Sequence, residues 1–466
     1  MPTLLRIGSM MGPRGSSDNY VFGGQSAELV ADHAGVRNEG VPFYRKGGAA
    51  STFSGLFGTR YDRSDLATMR DSSGNLVWNA HNLVDTPDAP VTQDVTVVSG
   101  AQYTVKMLGA GSVVLSNAGS GTATDGSGVT FTAASTTLTL TVSGSVDDMW
   151  AYRSDLGGMA TVPVDARGNA SESDYVSGGP RFLPRRENYR YNGSSWVLAG
   201  LLAEPATTNL LLNTNTLSTQ SATVTAVSHT LHFTGTGTIT LSGASTAGPL
   251  VGTGTGEENR VSLVFTPSAG SLTLTVTGTV TNAQLETGVQ TSYIPSAGSQ
   301  AIRAADVTTG QALAADMPNS TEALWFAMSG TMSYADNSNV NEAIFFRRIV
   351  DASNYVQMTL STTAGDTGEP RATMRSTTDG IDNSVGATDV YSPGIDVEFS
   401  VAARFTDSVV QGAADGTAFT ADTTPTVMPN VTGEDFDIGV PFTGNIELVM
   451  AGTGDPGEAG IEEASA

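Results

Sequence analysis

Apolar and polar residues alternate along most of this chain. Leu138, Leu140, Val142 and Val146 are spaced by Thr, Ser and Gly in LTLTVSGSV, and the pattern returns at Leu272, Leu274, Val276 and Val280 in LTLTVTGTV. A period of two gives a strand one buried and one wet face. Threonine, branched at Cβ, suits the wet face of a pleated sheet. Gly109, Gly111, Gly235 and Gly237 punctuate these segments and permit hairpin turns. Short strands between frequent turn signals predict antiparallel sandwiches of roughly 100 residues.

The pattern is duplicated. FTAASTTLTLTVSGSV, from Phe131, lies over FTPSAGSLTLTVTGTV, from Phe265, and YTVKMLGAGSVVLS, from Tyr103, lies over HTLHFTGTGTITLS, from His229. The spacing differs between the two matches, which predicts an eight-residue insertion in the second copy between Gly243 and Gly254. A hairpin signal precedes each copy, DSSGNLVW (Asp71–Trp78) and YNGSSWVL (Tyr191–Leu198), followed by Asn82-Leu83-Val84 or Asn209-Leu210-Leu211. A repeat this long is a domain and not a solenoid turn.

The region from residue 311 has a different texture. EALWFAM (Glu322–Met328), AIFFRRIV (Ala343–Val350), YVQMTL (Tyr355–Leu360), VEFSVAARF (Val397–Phe405) and NIELVM (Asn445–Met450) are strand-length runs between polar clusters. Only Glu458–Ala464 reads as helical. The predicted fold is all-β: tandem antiparallel β-sandwich (jelly-roll) domains with an irregular N-terminal anchor. The expected divisions are 1–48 for the anchor, 49–165 and 166–310 for the two copies, and 311–466 for a third sandwich.

Composition narrows the function. The formal net charge of the 466 residues is -24, so nucleic acid and anionic membranes are repelled by most of the surface. There is no cysteine, hence neither a disulfide framework nor a thiolate metal site. No apolar run reaches the roughly 18 residues of a membrane span, and MPTLLRIGSMMGPRGS lacks the apolar core expected of a signal peptide. Residues 1–48 balance Arg6, Arg14, Arg37, Arg45 and Lys46 against Asp18, Glu28, Asp32 and Glu39, a charge contrast that suits attachment to a larger assembly. Arg181, Arg185, Arg186 and Arg190 are expected to form surface ion pairs.

GLLAEPATTNLLLNT (Gly200–Thr214) and NAQLETGVQTSYIPSAGSQAIRAADV (Asn282–Val307) resemble an arrangement recurrent in tailed-bacteriophage virion proteins. There, a GLLIEpaxTNLL segment opens a carbohydrate-binding-like sandwich and aQLExGxxxTSYIPTxGxxxtRaaD closes it. TFSGLFGTRYDRSDLATMRDSSGNLVW (Thr52–Trp78) is similar to the opening of the same proteins. PFTGNIELVMAG (Pro441–Gly452) and GEAGIEEAS resemble the end of the concanavalin A-like (laminin G-like) lectin domain that follows. The resemblance implies a virion surface protein of tail-fibre or head-fibre type, a homotrimer held to other virion proteins through its N-terminal segment and adhering to host surface glycans. Capsid decoration is the alternative within structural proteins. A polysaccharide depolymerase is the enzymatic one.

Candidate chemistry is sparse. Sugar recognition calls for aromatics that stack on pyranose faces beside Asn and Asp side chains, and Trp325, Tyr334, Tyr355 and Tyr391 are the candidates. If an ion is bound, calcium in oxygen-rich loops is expected, with Asp336, Asn339 and Asp379 as candidate ligands; no other cofactor is expected. His229 and His232 lie three apart on a strand, on opposite faces, and their counterparts in the first copy are Tyr103 and Lys106, so they are not read as sharing an ion. His33 and His81 are isolated. Glycoside hydrolysis needs two carboxylates in one cleft. Neither Asp396 and Glu398 nor Glu434, Asp435 and Asp437 have the spacing of lectin-fold glucanases, so no catalytic residue is assigned and the chain is read as a non-enzyme.

Overall fold

The computed structural model describes residues 20–37, 43–46, 49–51, 65–159, 181–306, 320–335, 342–363, 365, 367–432, 436–440 and 442–466. Nearly every regular element is a strand, and the one α-helix among the described residues is Gly457–Ala464. The fold is all-β and built of several antiparallel sheets, as the alternation predicts.

The two copies share one topology. The first sets a sheet ordered Val129–Thr132, Gln102–Leu108, Asp148–Arg153 against a sheet ordered Gly121–Ala123, Ser112–Asn117, Thr137–Ser143, Gln93–Thr96. The second repeats this with Val261–Phe265, His229–Gly235, Val280–Thr287 against Leu250–Val251, Thr238–Gly243, Gly270–Thr277, Gln220–Val224. Leu138 and Leu140 enter one core and Leu272 and Leu274 the other, while Thr141 and Thr275 face solvent. Each fully buried leucine contributes about 1.5–3 kcal/mol.

Side-chain hydrogen bonds are duplicated too. Asn82 accepts from the amides of Val84 and Ala151 at 3.1 Å and donates to the Met149 carbonyl at 3.0 Å. Asn209 accepts from Leu211 and Leu285 at 3.2 and 3.3 Å and donates to Ala283 at 3.1 Å. Each asparagine thus ties the entry of its copy to the last strand. The extra residues of the second copy lie later than expected. Val113 faces Ala123 and, at the matching place, Ile239 faces Leu250, so most of the insertion follows Leu250, where it forms a short 3-10 turn at Glu257–Asn259.

The third sandwich packs a five-stranded sheet, ordered Asp382–Gly386, Glu369–Arg375, Asn354–Ser361, Glu342–Asp351, Phe436–Val440, against a ten-stranded one. The centre of the larger sheet runs Val410–Ala414, Gly394–Thr406, Ala323–Tyr334, Gly444–Thr453. Phe326, Phe346, Phe399, Phe405, Met358 and Met374 fill the space between the sheets. The outer face of the larger sheet is also covered: Phe22, Trp325, Met450 and Ile461 bring an N-terminal hairpin and the C-terminal helix onto it.

Two segments depart from the expected divisions. The irregular anchor expected over 1–48 is sheet in much of its described part: Leu29–Asp32 pairs with Gly444–Thr453, and Phe43–Lys46 pairs with Leu29–Asp32. All four residues of LVAD are buried, and a strand covered on both faces carries no alternation to read. The hairpin of Arg185–Tyr191 and Trp196–Ala203, expected within the second copy, extends the large sheet through the pairing of Leu201 with Ile446. Strand Gly444–Thr453 therefore receives Trp196–Ala203 along its first part and Leu29–Asp32 along its second.

Candidate functional site

The outward face of the five-stranded sheet carries polar and charged side chains in rows. Val356 and Met358, with Ala372 and Met374, point into the core. Alternation therefore turns Tyr355 and Gln357, with Arg371, Thr373 and Arg375, outward. Register sets them in rows. Asp437, Arg347, Gln357, Thr373 and Ser384 stand across consecutive strands, and beside them run Tyr355, Arg375 and Asp382.

Three guanidinium groups share this face, each oriented by a carboxylate. Arg347 donates to Asp437 through Nε at 2.9 Å and Nη2 at 2.6 Å. Arg371 donates to Glu369 at 3.0 Å, and Arg375 to Asp382 at 3.0 Å. Their side chains keep 28%, 38% and 30% of their surface exposed. Tyr355 donates to Asp382 at 2.9 Å, leaving its ring half-buried beside Arg375. A guanidinium held planar and still open at one edge matches a carboxylate or a pair of hydroxyls on a ligand.

The other candidate aromatics lie elsewhere. Trp325 has no exposed surface, and its ring meets that of Phe22 edge-on at 5.5 Å. Tyr334 and Tyr391 are 8% and 5% exposed and belong to the core between the sheets. Tyr391 donates to Asp415 at 3.1 Å, and burial raises its pKa. Trp325, in the middle of Ala323–Tyr334, is covered and cannot stack on a sugar in solvent, whereas Tyr334, at the end of that strand, stands in the wall of a cavity of about 550 Å³. Tyr355 alone of the four reaches the open face.

Asp336 and Asn339 lie outside the described residues. Asp379 accepts from the Thr426 hydroxyl and amide and sits in a turn with Ser376. These contacts, the Thr426 hydroxyl foremost, lower its pKa. Among the described residues no three His, Asp or Glu side chains stand together as a metal site.

The residues that carry the phage-protein resemblance form a buried network. Glu204 of GLLAEP accepts from Arg185 at 2.6 Å, from Arg303, and from the Ser292 amide and hydroxyl at 2.6 Å each. Arg185 also meets Asp306. Burial opposes the charge on Glu204, but the two guanidinium groups and Ser292 outweigh it and hold the carboxyl at about 2. Glu286 of the same closing segment accepts from Thr291. These motif residues join the second copy to the strands around it. Arg185 and Arg186, expected at the surface, are 0% and 5% exposed, and Arg190 makes its pair with Glu398 at 2.6 Å.

The histidines have internal partners. His81 pairs through Nδ1 with the Asn79 carbonyl at 2.7 Å and accepts from the Arg153 amide at Nε2, 2.8 Å. That arrangement needs a neutral ring, and burial lowers its pKa to about 4. His232 lies between Glu286 at Nε2 and Arg260 at Nδ1, 2.9 Å from each. Arg260 comes from the inserted segment, where Glu257 also meets Arg70 at 3.1 Å. The insertion thus braces the second copy against the first hairpin. Among the described residues, no helix is long and apolar enough to cross a membrane.

The class defined here is a multidomain β-sandwich protein with a polar, arginine-bearing sheet face. No protein-family model matches the chain, and no curated protein sequence matches it. Solved structures do match. The chain is similar to the Ruminococcus gnavus IT-sialidase CBM40 bound to alpha2,3 sialyllactose, at 10% identity over 32% of this chain and 84% of that one, with a TM-score of 0.26. The NanB sialidase from Streptococcus pneumoniae matches at 14% identity over 30% of this chain and 23% of that one, TM-score 0.24. Domains LG4-5 of the mouse laminin alpha1 chain match at 7% identity over 54% and 88%, TM-score 0.20. At these scores the matches carry no argument about ligand or role.

Proposed function

We propose that this chain is an adhesion protein that holds a carboxylate-bearing glycan on the outward face of its five-stranded sheet. The observation that carries the reading is the gathering of Arg347, Arg371 and Arg375, each partly open, on one face of a chain whose net charge is -24. Tyr355 supplies a ring for the apolar side of a sugar, and Gln357 and Ser384 supply hydrogen-bonding groups for hydroxyls. The nearby carboxylates Asp437, Glu369 and Asp382 are each engaged by an arginine. That suits holding a ligand, without bond-making chemistry.

The GLLAEP and TSYIP segments support a finer placement: the surface of a tailed-phage particle, as a fibre protein, homotrimeric and attached to other virion proteins. Purified full-length protein, probed on an array of neutral and carboxylated glycans, should bind members of the second class. The double variant R371A/R375A should lose that binding with its melting temperature kept. Silence on the array, together with stoichiometric binding to empty capsids, would replace adhesion by particle decoration. Antibody labelling of particles and the mass of the purified protein in solution test the placement and the trimer.

A further inference from the structure

We propose that the cleft between the two copies is a second binding site, for a neutral oligosaccharide, independent of the arginine-bearing sheet face. The cleft has a volume of about 670 Å³ and is enclosed by the start of the first hairpin, by Asp94–Val98 on the edge of the first copy, and by Tyr293–Arg303 closing the second. That size is typical of small-ligand sites, which favour domain boundaries.

Aromatic rings line it with their polar atoms already engaged. Trp78 donates to Asp155 at 2.6 Å, Tyr103 accepts from the Val98 amide at 2.8 Å, and Tyr293 donates to Asn215 at 2.8 Å. These three rings form the floor of the cleft, at 3%, 1% and 2% exposed; the ring that reaches the open space is that of the half-buried Phe182. At the mouth stand two aliphatic side chains that burial would favour, Val98 at 42% and Ile302 at 71% exposed. The polar side chains on the walls, Asp85, Asp94, Ser299 and Gln300, are exposed.

Charge selects the ligand class. The two arginines of the lining are neutralised within the protein. Arg153 is bound to Asp155 at 2.9 Å and lies over the Trp78 ring at 4.2 Å, and Arg303 is bound to Glu204. Asp85 and Asp94 then set the sign of the cleft, which repels anions. A neutral sugar chain fits both halves of this surface, with its C–H faces on Phe182, Val98 and Ile302 and its hydroxyls on carboxylate and amide oxygens. The two exposed carboxylates set the cleft apart from the sheet face, where Asp437, Glu369 and Asp382 are each paired with an arginine, so one chain carries two sites of different preference.

The test uses full-length protein with maltohexaose, cellohexaose, xylohexaose and chitohexaose as neutral probes, a hexagalacturonate as the anionic one, and hexalysine as a basic peptide. Binding is read by calorimetry and by tryptophan fluorescence, to which Trp78 contributes. At least one neutral hexasaccharide should bind, and I302D and V98D, both at exposed positions, should each weaken it by roughly tenfold or more with melting temperature unchanged. R371A/R375A should leave that binding intact. The proposal is overturned if no neutral probe binds at millimolar concentration, if the cleft variants bind as well as wild type, or if hexalysine is the probe that the cleft variants lose.

Discussion

Arg185 and Glu204 meet at 2.6 Å with side-chain exposures of 0% and 4%. Two charges in such a place hold the fold only while both are present. Removing one member of a buried pair costs about 3–5 kcal/mol, because the other is left without compensation. Glu204→Gln should therefore lower the melting temperature more than any single substitution on the open sheet face. Differential scanning calorimetry of the two sets of variants decides this. A loss no larger than that of R371A would show the network to be dispensable.

Glu204 also predicts an acid response. Its folded pKa, about 2, lies below its ordinary value. Its contribution is therefore complete above the ordinary carboxylate range and is lost as pH falls towards 2. Stability of wild type should fall over that window more steeply than stability of Glu204→Gln, as read by urea unfolding at a series of pH values.

His81 acts in a higher pH window. In the folded protein the ring stays neutral down to about pH 4, whereas in the unfolded chain it takes up a proton near its ordinary value of 6.5. The unfolded state thus binds the extra proton between these limits, and stability falls as pH drops from 6.5 to 4. His81→Gln should flatten that part of the profile. Unchanged slopes between wild type and variant would refute the assignment of a neutral, doubly bonded ring.

Asn82 and Asn209 provide a matched pair of substitutions. Asn82 makes three hydrogen bonds to backbone groups of its own copy, and Asn209 makes the same three and a fourth, to the Ile294 carbonyl at 2.9 Å. Alanine at either place leaves buried amides and a carbonyl unpaired, at about 1–3 kcal/mol per unsatisfied group. The loss at Asn209 should be the larger, by its fourth bond, and the two should add in the double variant, since the residues share no partner. Chemical denaturation of the three variants measures both points.

Binding at the sheet face should depend on Tyr355 in a graded way. Tyr355→Phe keeps the ring and loses the bond to Asp382, so a carboxylated glycan bound by wild type should lose only a fewfold in affinity. Tyr355→Ala also removes the stacking surface and should lose roughly tenfold or more. Equal affinities for the two variants would remove the ring from the site.

Much of the architecture was legible in alternation, since Leu138 and Leu272 mark a sheet with one wet face and their flanks reveal the duplication. The departures share one physical cause. LVAD and the strand of Trp325 are buried on both faces, and a period-two reading has nothing to register there. Arg185 shows a related limit: four arginines in ten residues look solvated until Glu204 and Asp306, distant in sequence, are brought beside them. Of the candidate aromatics only Tyr355 reached the open face. Arg347, Arg371 and Arg375 carry no local signal, because what unites them is register across three strands, which no local window contains.

Strand Gly444–Thr453 is paired with residues near 30, 200 and 330. During synthesis it emerges after all of them. The two copies can close their own cores on the ribosome, whereas Leu29–Asp32 and Trp196–Ala203 must wait with unpaired edges until the last strand arrives. Pairings of such sequence separation form slowly, and waiting strand edges invite association with other chains. The vulnerable interval in this protein's production is therefore the one before Gly444–Thr453 appears, and a chain truncated before residue 444 should aggregate through its early strands while its two repeated modules remain folded.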